Sequence, residues 1–466
     1  MTNSTIYQAL YRNDLSSFIN RSFYIVNPGV IYQHNWHIDV ISDYLSDIYR
    51  GKLKRLIINM PPRYLKSIAV TIAWPAWLLG KNPSMKIMIA SYSQILSTKH
   101  SLDSRIIMQS GWYHNIFPNV SLAHDQNEKN KFNTTKNGGR FATSVGGTVT
   151  GEGGDILILD DPHNPADIMS DKKRQTTLDW FDQVWLSRLN DKKNGAIILV
   201  MQRLHENDLT GHILAKNNKE WELLSLPAYF PKKTIINSPS NKFIISKNSY
   251  LHEKREGKNE LSSLKNDLGS AIFNAQYLQK PHSIKTALVK REWLQRYNIL
   301  PNRYIRIIQS WDTAYKTNKN SDYSVGVTIY ETHNAFYIAD IYRKKLAYND
   351  LKLAIINQAE KFNPTSIIIE DKASGQSLIQ ELHKQTNLPI ISSMPKDSKI
   401  TRISNIIPFI ESGKILLPNK ANWLIDFEDE LLSLPNSEHD DQVDSLAQAI
   451  NWANDNKIMT MRIRDL

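Results

Sequence analysis

The stretch Leu56–Ser67, LIINMPPRYLKS, joins a short apolar run to a proline pair and a Lys-Ser pair. The apolar run is typical of a buried strand, and the residues that follow, Ile68 to Leu79, have the composition of a helix. Strand, tight loop, Lys-Ser and helix follow one another in phosphate-binding loops, where backbone N–H groups and the helix N-terminus bind phosphate. Lys66 would reach the β and γ oxygens, and Ser67 would ligate Mg²⁺.

The loop differs from the usual G-x-x-x-x-G-K-[ST] pattern at both glycine positions, which are occupied by Met60 and Leu65. Leucine resists the positive φ that glycine accepts. The alternative interpretation is a buried turn between a strand and a helix that binds no nucleotide.

A second apolar strand, DILILD at residues 155–160, leads into Asp161. In a sheet that carries a phosphate loop, the acid that ends such a strand holds Mg²⁺ through water, and a second acid polarises the attacking water. We assign these two roles to Asp160 and Asp161. The alternative role of paired acids at a strand end is to cap the next helix.

A third apolar strand, AIILVM at residues 196–201, runs directly into Gln202 and Arg203. Polar residues at this position can sense the γ-phosphate, although an ordinary loop has the same composition. Runs of Ile, Leu and Val that alternate with helical segments indicate a parallel sheet covered on both faces. We therefore expect residues 1–225 to form an α/β domain of the P-loop NTPase type.

Prolines and little periodicity mark residues 226–300 as a connector or subdomain with one short helix, about 261–278. Residues 301–466 then show a second α/β pattern. Three expected strands cover residues 306–312, 323–331 and 335–343, the last two as a hairpin, followed by a helix, the strand SIIIED at 366–371 and further helices.

Acidic side chains end two of these strands and begin the last helix. Asp312 and Glu370 stand at the strand ends, while Asp441 and Asp444 are three residues apart and share a helix face. Several carboxylates that converge are what a two-metal phosphodiesterase needs, because Mg²⁺ or Mn²⁺ bound to oxygen ligands activates water and stabilises the leaving oxygen. The order strand-Asp, hairpin, strand-Glu and helix-Asp is that of a ribonuclease H-like fold. Each acid alone is more often a cap or a solvated charge.

Composition restricts the partners and the compartment. The formal net charge of +11 favours a polyanion such as nucleic acid, although a basic soluble protein is the alternative. The chain has no cysteine, which excludes disulfides, thiolate metal sites and cysteine nucleophiles. We find no apolar signal-peptide core and no membrane span, so we expect a protein of the host cell cytoplasm with no membrane partner.

Collinear blocks of this sequence resemble the large subunit of tailed-bacteriophage terminases. The blocks are NWHIDVISDYL (35–45), LIINMPPRYLKS (56–67), SYSQILSTKHSLDSR (91–105), GGRFATSVGGTVTGEGGDILILDDP (138–162), VMQRLHENDLTG (200–211), SWDTAYKTNKNSDYSVGV (310–327), IIIEDKASGQSLIQEL (367–382) and HDDQVDSLAQAINW (439–452).

The resemblance implies a motor that hydrolyses ATP with Mg²⁺ to translocate double-stranded DNA. Pro62 and Arg63 would line the nucleotide, with Arg63 able to reach the γ-phosphate, and Trp36 and His37 would lie near adenine. The residues MQRLHE match the motif that couples hydrolysis to movement. The metal ligands of a two-metal endonuclease that cuts concatemeric DNA would be Asp312, Glu370, Asp441 and Asp444.

The same resemblance implies a homo-oligomeric ring on the procapsid, with a portal protein and a small terminase subunit as partners. The sequence departs from the family at Leu65, which replaces a glycine, and at Glu152, where a basic residue is expected. Two alternatives remain open from sequence: a helicase- or restriction-type DNA translocase that does not package DNA, and a decayed, non-catalytic prophage assembly component.

Overall fold

The computed structural model describes residues 3–216, 220–281, 288–313, 323–371, 373–394, 398–435 and 440–457. Contacts within the chain separate two compact units, one of residues 1–265 and 271–282 and the other of residues 266–270 and 283–466. Each unit is built around its own sheet.

The first unit contains an eight-stranded sheet in the order β3-β4-β5-β2-β6-β7-β1-β8. Its strands are β1 (Arg55–Asn59), β2 (Lys86–Ser91), β3 (Leu122–Asn127), β4 (Lys131–Thr134), β5 (Gly139–Ser144), β6 (Ile156–Asp160), β7 (Ala196–Met201) and β8 (Glu222–Ser225). The six strands from β5 to β8 in this order run parallel, and β4 and β3 extend one edge in antiparallel fashion. Strands β6 and β7 are completely buried, as expected for a parallel sheet with both faces covered.

The helices of the first unit follow the sequence pattern with two irregularities. They are α1 (Asn3–Asn13), α2 (Leu15–Val26), α3 (Trp36–Tyr49), α4 (Trp74–Lys81), α5 (Gln94–Gln109), α6 (Gly111–Ile116), α7 (Asp171–Trp180) and α8 (Leu209–Ala215). The helix expected from Ile68 begins as a π-helical turn, Ile68–Ala73, before α4. The helical segment between β6 and β7 is an α-helix only to Trp180 and continues as a π turn (Phe181–Trp185) and a 3₁₀ turn (Leu186–Arg188).

Short antiparallel pairs follow β8, where the sequence shows little periodicity. The strands are β9 (Tyr229–Phe230), β10 (Thr234–Asn237), β11 (Lys242–Ile245) and β12 (Ser249–Tyr250), paired as β10-β11 and β9-β12. Strands of two to four residues are too short to display an alternating pattern. The helical segment expected at 261–278 is α9 (Lys258–Gln276), in which Gly269 adopts φ +76° and separates two helical stretches.

The second unit contains a seven-stranded sheet in the order β13-β19-β16-β15-β14-β17-β18. The strands are β13 (Gln295–Tyr297), β14 (Arg306–Asp312), β15 (Ser324–Glu331), β16 (Phe336–Lys344), β17 (Ser366–Glu370), β18 (Ile390–Ser393) and β19 (Ile415–Pro418). The antiparallel hairpin β15-β16 and the parallel pair β14-β17 confirm the expected order of strands.

Helices complete the second unit after a 3₁₀ turn at Arg291–Trp293. They are α10 (Tyr348–Phe362), α11 (Ala373–Gln385), α12 (Lys399–Glu411), α13 (Leu424–Ser433) and α14 (Asp441–Asp455). Apolar residues of α14, such as Leu446 and Ile450, share a buried cluster with Val325, Val327 and Ile329 of β15. This packing holds the acidic start of α14 over the sheet. No helix in the described ranges has the length and apolar character needed to cross a membrane.

Candidate functional site

The loop between β1 and the π turn adopts two left-handed backbone conformations. Arg63 has φ +68° and Leu65 has φ +65°, although neither is glycine. Each such residue costs about 1–2 kcal/mol in backbone strain. The loop therefore keeps a conformation that favours glycine at position 65 even though the glycine itself is missing.

Contacts of Tyr64 hold this strained loop in place. The Tyr64 side chain is buried, and the guanidinium of Arg255 lies 5.5 Å from its ring centroid. The main-chain oxygen of Tyr64 lies 3.2 Å from Nε2 of His37, one of the two residues expected near adenine. Burial lowers the pKa of His37 to about 3, so the ring is neutral and can donate from Nε2. Pro62 is partly buried and Arg63 is exposed beside Tyr64.

Lys66 lies inside the site and pairs with a predicted catalytic acid. Its side chain is buried, and Nζ is 2.7 Å from Oδ2 of Asp161. Asp161 also accepts a hydrogen bond from the main-chain N–H of Gln202, at 3.1 Å from Oδ1. Burial raises the pKa of Asp161, and the charge of Lys66 opposes that rise.

Asp160, at the end of β6, is completely buried beneath the loop. The hydroxyl of Thr71 donates to its Oδ2 at 2.8 Å, and the nearby Ser67 hydroxyl acts to lower the pKa of this carboxylate. Within the described ranges, Oδ1 of Asp160 has no hydrogen-bond partner. Burial raises the pKa of Asp160, again opposed by Lys66. A buried carboxylate oxygen without a partner, next to a serine hydroxyl, has the donor chemistry that Mg²⁺ requires.

The structure gives Gln202 and Arg203 different partners. Gln202 adjoins Asp161 through its main chain, whereas Nε of Arg203 donates to both oxygens of Asp208, at 3.0 and 2.9 Å. Asp208 in turn caps α8 by accepting from Gly211 N. The guanidinium of Arg203 thus supports the start of α8, and its proposed contact with the nucleotide remains a prediction.

The predicted acids of the second unit gather near the carboxyl ends of two neighbouring strands. We call this group, which consists of Asp312, Glu370, Asp441 and Asp444, the acidic edge. Because β14 and β17 run parallel, Asp312 and Glu370 come from neighbouring carboxyl ends. Burial raises the pKa of Asp312 to about 7, and the charges of Asp444, Glu370 and Asp441 add to that effect. Asp441 and Asp444 lie in the first turn of α14. The four predicted acids are therefore close enough to interact.

Two cations of α12 lie among these acids. Nη2 of Arg402 donates to both oxygens of Asp444 at 2.8 and 2.7 Å, and Nη1 is 3.8 Å from Oε2 of Glu370. Nζ of Lys399 is 2.7 Å from Oδ1 of Asp440, 3.5 Å from Oδ2 of Asp444 and 3.9 Å from Oδ1 of Asp441. The acidic cluster is thus partly neutralised by the protein itself.

Comparison with known proteins agrees with the fold described above. Residues 309–452 match the family model described as the terminase RNaseH-like domain. The large terminase of a thermophilic bacteriophage in complex with ADP aligns with a TM-score of 0.53 at 11% identity, covering 89% of this chain and 97% of that one. The same phage protein in complex with ATP-γ-S aligns with the same score, identity and coverage. No curated protein matches the chain in sequence.

The chain has the fold of a phage large terminase subunit. The resemblance drawn from the sequence blocks and the expected fold class are both confirmed by these matches. Within this terminase fold, the roles of the individual site residues remain predictions.

Several residues around the two candidate sites were not predicted from the sequence. In the first site these are Thr71, His100, whose Nδ1 lies 3.4 Å from Oδ2 of Asp160, and the buried Arg140. Burial lowers the pKa of His100 to about 4, which makes it a neutral neighbour. Arg140 lies within the block at residues 138–162 that resembles the terminase family, and this was a signal available in the sequence. Lys399 and Arg402 gave no such signal, because α12 was not located.

The acids of the second unit have ligand chemistry that suits a hard divalent cation. Carboxylate oxygens are the ligands that Mg²⁺ and Mn²⁺ prefer. In the part of the chain that the structure describes, however, no three His, Asp or Glu side chains are arranged around a single metal position. The carboxylates of Asp440 and Asp444 pair with Lys399 and Arg402 instead.

Proposed function

We propose that the chain is the large subunit of a viral DNA-packaging motor, which hydrolyses ATP to translocate double-stranded DNA and cuts concatemeric DNA with a metal-dependent endonuclease. The observation that carries the proposal is the presence of two different sites on one chain. One is the loop site around Lys66, and the other is the acidic edge in the region that matches the terminase RNaseH-like model.

In the proposed ATPase, Lys66 exchanges its contact with Asp161 for the β and γ oxygens of ATP. The freed carboxylate of Asp161 is then available to polarise the attacking water. Ser67 and Asp160 would hold the Mg²⁺ ion, which neutralises charge on the phosphates. Arg63 lies exposed in the loop, from which it would reach the γ-phosphate, and Pro62, Gln202 and Arg203 would complete the nucleotide surroundings. The thermophilic-phage terminase that shares this fold has been crystallised with ADP and with ATP-γ-S.

In the proposed nuclease, Asp312, Glu370, Asp441 and Asp444 would hold Mg²⁺ or Mn²⁺. The metal supplies an activated water and stabilises the leaving oxygen. Arg402 orients the Asp444 carboxylate by binding both of its oxygens. The net charge of +11 supports binding to the phosphate backbone of DNA, with little sequence preference and a steep dependence on salt.

The proposal divides the chain into an ATPase domain (1–225), a connector or subdomain (226–300) and a nuclease domain (301–466). It also includes a homo-oligomeric ring, a portal protein and a small terminase subunit as partners. These assignments rest on the terminase fold and on the sequence blocks rather than on any contact within the chain.

The deciding experiment measures ATP hydrolysis by the purified full-length chain with and without DNA, together with cutting of plasmid DNA in Mg²⁺ or Mn²⁺. The proposal predicts both activities. Protection of DNA from nuclease digestion inside portal-bearing procapsids then tests packaging. Hydrolysis without protected DNA would favour a helicase- or restriction-type translocase, and a folded chain without either activity would indicate a decayed component.

A further inference from the structure

Arg140 is a completely buried cation next to the candidate ATPase site. It lies on β5, between Phe132 of β4 and Ile87 of β2, and its side chain is 1% exposed. A charged side chain is seldom buried to this extent without an ion-pair partner in contact. Among the described residues, no carboxylate accepts a hydrogen bond from its Nε or Nη1.

The guanidinium of Arg140 uses only part of its hydrogen-bonding capacity. Nη2 donates to the main-chain oxygen of Thr71 at 3.2 Å, while Nε and Nη1 have no hydrogen-bond partner of any kind in the described ranges. Donors that are buried without a hydrogen-bond partner lower the stability of the folded chain. Arg140 is therefore not explained by a contribution to the stability of the fold, which points to a role in the neighbouring site.

Thr71 connects Arg140 to the acid that we assign to Mg²⁺. It lies within the π-helical turn Ile68–Ala73, which begins directly after Ser67. Its main-chain oxygen accepts from Arg140, and its hydroxyl donates to Oδ2 of Asp160. Single π-helical turns of this kind occur frequently at functional sites.

The ionisable groups around Arg140 also favour a role at Asp160. The other ionisable neighbours from α5 are His100, which burial keeps neutral, and Asp103, which pairs with Lys99 at 2.7 Å. The site itself contains two buried carboxylates, and Lys66 forms its ion pair with Asp161. Besides Lys66, the charge of Arg140 also lowers the pKa of Asp160. In the proposed function Lys66 leaves Asp161 for the nucleotide, and Arg140 would then be the cation that stays beside Asp160.

We propose that Arg140 is a positioning residue of the ATPase: through the Thr71 carbonyl it holds the π turn, so that the Thr71 hydroxyl keeps the Asp160 carboxylate oriented for Mg·ATP. The inference rests on the proposed ATPase function. It places Arg140 outside the reaction itself, since its guanidinium donates to a main-chain oxygen of the π turn.

The test compares ATP turnover by the full-length chain and three variants, Arg140→Met, Thr71→Val and the double variant. Arg140→Met should lower kcat about tenfold and change KM for Mg·ATP less than about threefold, because orientation is lost and nucleotide contacts remain. Its thermal unfolding midpoint should stay equal or rise, because donors without partners leave the core. The double variant should be no slower than the slower single variant, because both changes interrupt the same connection.

Two further variants complete the test. Arg140→Lys retains a cationic donor and should recover part of kcat. Arg174→Met removes another buried arginine, whose donors bond Ile168 O and Asp171. It should lower the unfolding midpoint and leave ATP turnover within about twofold.

The outcomes separate the two proposals. A parent chain without ATP turnover contradicts the proposed function. An active parent with undiminished kcat in Arg140→Met or in Thr71→Val overturns the positioning role, as do additive losses in the double variant. If Arg140→Met does not fold, Thr71→Val decides the role: lowered kcat with an unchanged KM supports it, and normal turnover overturns it.

Discussion

The loop site and the acidic edge balance their carboxylates in opposite ways. In the first, the predicted catalytic acid Asp161 contacts a cation of the loop itself, Lys66, at 2.7 Å. In the second, Asp444 contacts Arg402 of helix α12, which carries none of the predicted acids, and burial among other acids raises the pKa of Asp312 to about 7. Both sites join parts of the chain that are far apart in sequence. The cation of the first site belongs to a loop that the sequence already indicated, whereas the cation of the second belongs to a helix that the sequence did not indicate.

We expect the largest effect from a substitution that disables the loop site and leaves the acidic edge active. Lys66→Ala should lower ATP turnover by about 100-fold or more, because the cation that stabilises phosphate charge is lost. Cutting of plasmid DNA should persist in the same preparation. Both activities are measured on the full-length chain, with Lys99→Ala, an exposed lysine on α5, as the control. Normal ATP turnover in Lys66→Ala would show that the loop is not the nucleotide site.

Asp312→Asn should abolish metal-dependent cutting while leaving ATP turnover intact, because the amide is a weaker cation ligand. A change in stability should accompany that loss. An aspartate in the unfolded chain has a pKa of about 3.9. Because the pKa of Asp312 in the folded chain is about 7, folding favours the protonated, neutral form of this side chain. The contribution of Asp312 to the stability of the folded chain is complete below a pH of about 4, and it is lost as the pH rises through about 7.

Thermal unfolding of the metal-free chain, recorded between about pH 5 and 8.5, checks this sign. The parent midpoint should fall as pH rises, and Asp312→Asn should show a flatter profile and melt a few degrees higher at about pH 8. Identical profiles for the two proteins would mean that Asp312 is not held among other acids.

Replacing Arg402, the cation that pairs with Asp444, should have an intermediate effect. Arg402→Met leaves Asp444 without the donor that binds both of its oxygens, so we expect cutting to fall about tenfold. Raising the Mn²⁺ concentration should recover part of the rate, because a metal can compensate the unpaired carboxylate. Arg296→Met, which removes a cation that pairs with Glu428 in the same unit, serves as the matched control. Equal rates in both variants would assign Arg402 a structural role only.

The smallest expected effect concerns the strained loop. Leu65→Gly relieves a left-handed leucine but gives the unfolded chain more freedom, so stability should change by no more than about 1 kcal/mol. ATP turnover should be preserved or raised. Denaturant unfolding and steady-state hydrolysis measure the two effects, and Leu65→Ala, which retains the strain, is the comparison. A large loss of turnover in the glycine variant alone would show that the leucine side chain itself is required.

Much of the architecture followed from local patterns. Apolar runs such as residues 156–159 and 196–201 predicted the parallel sheet, since strands buried on both faces contain few polar residues. The short strands β9 to β12 and the helix α12 were not predicted, because short or weakly patterned segments show no clear period. The π turn after Ser67 was also not predicted, since helix periodicity does not distinguish it from an α-helix.

The sequence by itself determined which residue types lie at the ends of the strands: the Lys-Ser loop, the Asp160–Asp161 pair, and the acids Asp312 and Glu370. Side chains at the carboxyl ends of neighbouring parallel strands must meet, so this information is local. Only the tertiary structure decided which cations accompany them. Arg140, Lys399 and Arg402 lie on elements that carry none of the predicted acids, and their partners depend on how helices pack against the sheets.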